Sequence, residues 1–136
     1  MRKFEFKKTY EEIEIAGDVY KIDVSDQKLR EYQIEFYEFY KESQRLGEID
    51  TNKLSIEEQQ KIFDETLEIV KKVVEKLLGA GSFEKLYAAS GGSVMNMIDL
   101  VNYLGEVFQE KLNNAKQKKR VEYLKHKKRN NKKGRK

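Results

Sequence analysis

Apolar residues recur at helical spacing through two long stretches of this chain. Ile62, Phe63, Leu67, Val70, Val73, Val74, Leu77 and Leu78 form one stripe, and Val94, Met97, Ile98, Val101, Leu104, Phe108 and Leu112 form another. Steps of three and four put such residues on one side of an α-helix. With no proline in 136 residues, nothing kinks or breaks either run. The expected fold class is therefore mainly α, a domain of three to four amphipathic helices around one core. Hydrophobic and charged residues each make up 38% of the chain, so each helix is apolar along a stripe and charged elsewhere. The mean hydropathy of -0.85 reflects that surface and does not imply general disorder.

Element boundaries are marked by capping chemistry. Ser55-Ile56-Glu57-Glu58 is a capping box, in which the Ser55 hydroxyl meets the amide of Glu58 while Glu58 reaches back. It opens a helix expected to run to about Leu78, where Gly79 ends it. Ser25 and Asp26 are N-cap candidates for an earlier helix over about Gln27 to Leu46, which Gly47 is expected to end in a left-handed conformation. Its inner stripe would hold Leu29, Tyr32, Phe36, Phe39, Tyr40 and Leu46. Ser82 to Ala89 reads as a short helix, and a last long helix starts near Ser93. Before all of these, Ile13 and Ile15 alternate with Glu12 and Glu14, and Tyr20, Ile22 and Val24 alternate with Lys21 and Asp23. Alternation on both sides of Ala16-Gly17-Asp18 is the mark of a small β-hairpin, which needs a helix or another chain behind it.

Charge divides the chain in two. Residues 113–136 hold 12 of the 28 Lys and Arg residues and a single acid, Glu122. The tail is thus about eleven charges positive and residues 1–112 about seven negative. This sets the expected organisation: a helical domain with its N-terminal hairpin over 1–112, and a basic tail over 113–136 that continues as solvated helix to about His126. Asn130 to Lys136 lacks apolar residues and is expected to be disordered. Lys116, Lys118, Lys119, Arg120, Lys125, Lys127, Lys128, Arg129, Lys132, Lys133, Arg135 and Lys136 are the candidate polyanion-binding residues. Their basic charge suits phosphate, with release of counterions, and suits an acidic protein surface equally. Only Tyr123 offers a stacking platform there, so single-stranded bases gain little support.

No constellation fits an enzyme active site. The absence of cysteine removes disulfides, thiolate nucleophiles and Cys-based zinc sites. The only histidine, His126, lies among Lys125, Lys127 and Lys128. Glu11-Glu12 and Glu57-Glu58 are explained by a strand edge and a helix's first turn. Gly79-Ala80-Gly81-Ser82 and Ser90-Gly91-Gly92-Ser93 precede helices but match neither the Walker pattern nor the dinucleotide fingerprint. No cofactor and no metal is implied. No apolar run approaches the roughly 20 residues that span a bilayer, and the start lacks a signal peptide's hydrophobic segment. No membrane partner and a cytoplasmic location are therefore expected.

Binding of macromolecules is the remaining class. Tyr32 to Tyr40 packs five aromatics into nine residues, too broad an arc for one narrow stripe. Tyr37 lies about 100° around the helix from Phe36. Tyr32, Phe36, Tyr37 and Tyr40, with Phe108 of the last helix, are the candidate partner-binding residues, and a core role fits the same periodicity.

The order hairpin, charged helices, Leu77-Leu78-Gly79-Ala80-Gly81-Ser82-Phe83-Glu84-Lys85-Leu86-Tyr87, a final helix with Asp99-Leu100-Val101-Asn102-Tyr103-Leu104 and a Lys-rich end resembles the tail assembly chaperones of long-tailed phages and prophages of Gram-positive bacteria. The likeness covers most of residues 10–125 in general pattern. The resemblance implies a non-enzymatic, self-associating protein that coats the hydrophobic helical tape measure protein before the tail tube polymerises, with tube subunits as further partners. It also implies the shorter of two frameshift-related products, in the host cytoplasm. A small nucleic-acid-binding protein acting through its tail is the alternative.

Overall fold

A computed structural model describes residues 1–134, with side chains through Ala115. The chain is mainly α-helical with an N-terminal two-stranded antiparallel hairpin. In order, the described residues form β1 (Tyr10–Ile15), β2 (Asp18–Asp23), α1 (Asp26–Gly47), a 3₁₀ turn (Thr51–Lys53), α2 (Ile56–Leu78), α3 (Ser82–Ala89) and α4 (Val94–Gly134).

The hairpin pairs Tyr10 with Asp23 and Ile15 with Asp18, so its loop is only Ala16-Gly17, and Asp18 belongs to β2. Both loop residues have positive φ, 52° and 86°, the two-residue turn whose twist matches that of paired strands. An alanine there is strained, because its Cβ crowds the following carbonyl. Ala16→Asn, which restores the preferred Asn-Gly pair, is expected to stabilise the chain by about 1 kcal/mol. A thermal melt should show this as a rise of roughly 4 °C. Buried Ile13 and Ile22 turn one face of the hairpin into the core. Ion pairs of Glu11 with Lys111 and of Asp18 with Lys85 hold its edges to α4 and α3.

Asp23 Oδ1 accepts the N–H of Ser25 at 2.9 Å, and the Ser25 hydroxyl in turn accepts the N–H of Lys28 to cap α1. The first bond holds the Asp23 carboxyl below its usual 3.8. Its stabilising contribution is thus present above that value and lost as pH falls through the lower folded one. Ser55 caps α2 as its box requires: the hydroxyl accepts Glu58 N–H at 3.2 Å and donates to Glu58 Oε1 at 3.0 Å.

Three expectations need correction. Gly47 is the last helical residue of α1 and not a left-handed stop; Glu48 follows in right-handed conformation, its N–H bonded to Gln44 O. The chain unwinds gradually into the 3₁₀ turn, which Asp50 caps through the Asn52 amide, so no reversal needs a positive φ. Tyr40 and Phe63 are not core residues but 49% and 45% exposed; Tyr40 meets α4 at Gly105 with its hydroxyl end, and the rest of its ring stays open to the groove. Asn130 to Gly134 is helical. From Lys116 to Lys133 there is neither Gly nor Pro, and Lys, Arg, Gln, Glu and Leu sustain a helix without packing. Arg135 and Lys136 lie outside the described residues.

The centre of the core is Val70, Val73 and Val74 of α2 with Met97, Val101 and Leu104 of α4, all fully buried. Phe36 stacks on Phe108 at 5.3 Å, and Tyr40, one turn on, reaches Gly105. Rising numbers on one helix meet falling ones on the other, so α1 and α4 run in opposite directions. Tyr32 is buried beside this seam. Desolvation, followed by the charges of Asp23 and Glu31, pushes its hydroxyl up to about 12. The folded state therefore prefers the neutral phenol, a preference fully present below pH 10 and lost as pH rises through 12. An absorbance titration should show a tyrosine step near pH 12, and Tyr32→Phe should abolish it.

Candidate functional site

An apolar groove of about 360 Å³ opens where α1, α2 and α4 meet. Phe39, Tyr40, Ser43, Leu46 and Gly47 line it from α1, Ile62, Thr66 and Ile69 from α2, and Ile98 and Asn102 from α4. The opening follows from side-chain size. Ser43 and Gly47 lie four residues apart and so share one face of α1, which lowers that wall by a full turn. A Cβ on Gly47 would meet nothing within 4 Å. The Thr66 hydroxyl donates to Ile62 O at 2.9 Å, so it offers little polarity to the wall.

Aromatic packing sets the groove's inner end. Tyr40 stands edge-on to Phe39 at 5.5 Å and stacked on Phe36 at 6.3 Å. Its Oη lies where any side chain at 105 would begin, 2.8 Å from the Cβ that Gly105 lacks. Glycine at 105 thus makes room for the Tyr40 hydroxyl beside the α4 backbone. No carboxylate, lysine or histidine lines the site. What it can do chemically is receive apolar side chains, with Asn102 and the Tyr40 hydroxyl as polar lips.

The candidate partner-binding residues separate. Tyr32, Phe36 and Phe108 are core, at most 8% exposed, and the stack between α1 and α4 accounts for two of them. Offering any of the three to a partner would open the fold. Tyr37 and Tyr40 remain accessible, and Tyr40 alone lines the groove. The candidate polyanion-binding residues from Lys116 onward lie outside the described side chains; their backbone to Gly134 is the continuation of α4. The two glycine-rich segments use their amides locally. Gly81 N–H donates to Glu75 Oε2 at 2.9 Å, and Gly91, Gly92 and Ser93 donate to Ala88 O, Tyr87 O and Ser90 Oγ. Among the described residues no cluster of three or more acids or histidines is arranged for a metal ion.

No family model, curated protein or solved structure matches this chain. The groove, the exposed apolar residues and the charge division are the features of the chain that bear on function. Among the described residues no helix is long and apolar enough to cross a membrane.

Sequence reasoning missed Ser43, Gly47, Thr66, Ile69 and Asn102 as a set, and Gly105 as the residue that makes room for the Tyr40 hydroxyl. The Ser43/Gly47 pair was a readable signal, since two small residues at i and i+4 make a notch on any helix. The opposite walls left no such mark.

Proposed function

We propose that this chain is a tail assembly chaperone whose groove between α1, α2 and α4 takes apolar side chains from one face of a helical client, the tape measure protein. The observation that carries the reading is an unfilled apolar groove of about 360 Å³ on an otherwise heavily charged surface. Its volume is at the low end for small-molecule pockets. Client residues three or four apart stand about 5–6 Å from each other, so two of them can enter together. Burying two such side chains contributes roughly 3–6 kcal/mol before the cost of association, a contact that holds a client and can later release it. Tyr37, Phe63 and Tyr103 are further exposed aromatic residues on the same three helices.

The test is co-expression with the tape measure protein from the neighbouring reading frames. A soluble complex that survives high salt is expected, and Gly47→Arg should weaken it at least about tenfold, a loss of roughly 1.4 kcal/mol. A Gly47→Arg chain that holds its client as well as the parent does would sink the groove as the client site. Absence of any complex would sink the chaperone reading. Charge favours a second function, a polyanion-binding tail, because 12 bases and one acid share residues 113–136.

A further inference from the structure

Residues 1–9 precede the hairpin and are exposed throughout, Phe4 by 81% and Phe6 by 90%. Their rings stand edge-to-face 5.0 Å apart. Two phenylalanines in water on one short segment call for a covering surface, and the described residues do not supply it. On β1 the odd residues face inward: Ile13 is buried, Ile15 half-buried, and Glu11 reaches Lys111. Val24 N–H donates to Thr9 O at 2.8 Å, so the paired backbone still runs at residue 9. β1 itself begins at Tyr10, on its outer face, where Lys21 covers the ring at 3.8 Å, and Phe4 and Phe6 lie on the irregular segment before it.

The chain's own groove does not hold the arm, since neither Phe4 nor Phe6 lines it and both are exposed. Tyr10 pairs with Asp23 beside the start of α1, whereas the groove centres on Ser43, 17 residues or roughly 26 Å further along that helix. Fully extended from Tyr10, Phe6 reaches about 13 Å and Phe4 about 20 Å.

We infer that the groove between α1, α2 and α4 is the docking site for the N-terminal arm of a second copy of this chain, with Phe4 and Phe6 as the inserted side chains. Size agrees, since an apolar cavity of about 150 Å³ holds one benzene-sized ring and this groove has about 360 Å³. Charge agrees too. The arm carries Arg2, Lys3, Lys7 and Lys8 against Glu5 alone, whereas residues 10–112 hold 22 acids against 12 bases. A furrow that shares Ile69 with the groove is lined by Glu42, Asp64, Glu65 and Glu68 against Arg45 and Lys61. Arg45 is already paired with Glu42 and Glu65. The basic tail has the charge for that surface but lacks paired aromatics for the groove. Arm into groove is a heterologous contact, so each copy that receives an arm still offers its own.

The groove is the one proposed for a client, but the measurement contains no client, so failure of either reading leaves the other standing. Sedimentation velocity of the full chain over rising concentration should show growth beyond the monomer. Phe4→Ser/Phe6→Ser changes only exposed side chains and is expected to stay monomeric, as is Gly47→Arg, with unchanged circular dichroism. An equal mixture of the two variants pairs one intact arm with one intact groove and should stop at a heterodimer. A parent chain that stays monomeric, an arm variant that associates like the parent, or a mixture that fails to pair would each overturn the inference. So would binding of a monomeric parent to phosphatidylglycerol vesicles that the arm variant loses, because the arm would then serve a lipid surface.

Discussion

Leu104→Ala is expected to remove roughly 3–4 kcal/mol of folding stability, within the range that truncating a buried leucine leaves behind as lost transfer energy and cavity. Leu104 is wholly buried, one residue before the glycine that admits Tyr40 and one turn before Phe108. It lies with Val70, Val73 and Val74 of α2 in the same buried cluster, where rigid neighbours on three helices cannot collapse into the space. A domain of this size has only about 5–15 kcal/mol in total, so the melting temperature should fall by roughly 15 °C. Tyr37→Ala, on the exposed side of α1, should change stability by no more than about 0.5 kcal/mol. A loss below about 1 kcal/mol for Leu104→Ala would mean that α4 does not close the core in solution.

Removing residues 116–136 is expected to reverse the chain's behaviour toward polyanions while leaving its melting temperature within about 2 °C. The cut takes 12 bases and one acid, which turns a formal charge of +4 into −7. Among the described side chains the last hydrophobic one packed against the core is Leu112, and the removed segment has only Val121, Tyr123 and Leu124 as large apolar residues, so little apolar burial is at stake. Full-length chain should bind duplex DNA or heparin at low salt. If it neutralises about 6–10 phosphates, its affinity should fall by roughly 10³–10⁵ between 50 and 200 mM salt. The shortened chain should not bind and should move from a cation to an anion exchanger. Retained DNA binding would transfer that property to the body, and a collapsed melt would show that the tail supports the fold.

Much of the architecture was legible because local chemistry and periodicity agree along most of the chain. The capping box at Ser55, the alternation around Ala16-Gly17 and the stripes on α2 and α4 each name an element and its buried side. Where reading failed, the missing information was what lies opposite. Phe63 and Tyr40 obey their helices' periodicity, but periodicity cannot say how much of each ring its neighbours will cover. The helix past His126 was missed for another reason: lack of apolar residues argues against packing, not against helix. Of the site, only Tyr40 could be named in advance. The groove joins residues from three helices whose common feature is absent volume at Ser43 and Gly47, and a missing side chain leaves a weak signal in a sequence.

The length of α4 has an electrostatic consequence. From Lys116 to Gly134 the helix adds 19 residues, roughly 28 Å of axis. Physiological salt screens charge over about 8 Å, so the far end of the rod does not feel the acidic body. The two ends therefore act as separate electrical objects on one molecule. A negatively charged surface attracts the tip at full strength although the body alone would be repelled, and a chain held there by its tip stands with its body away from that surface.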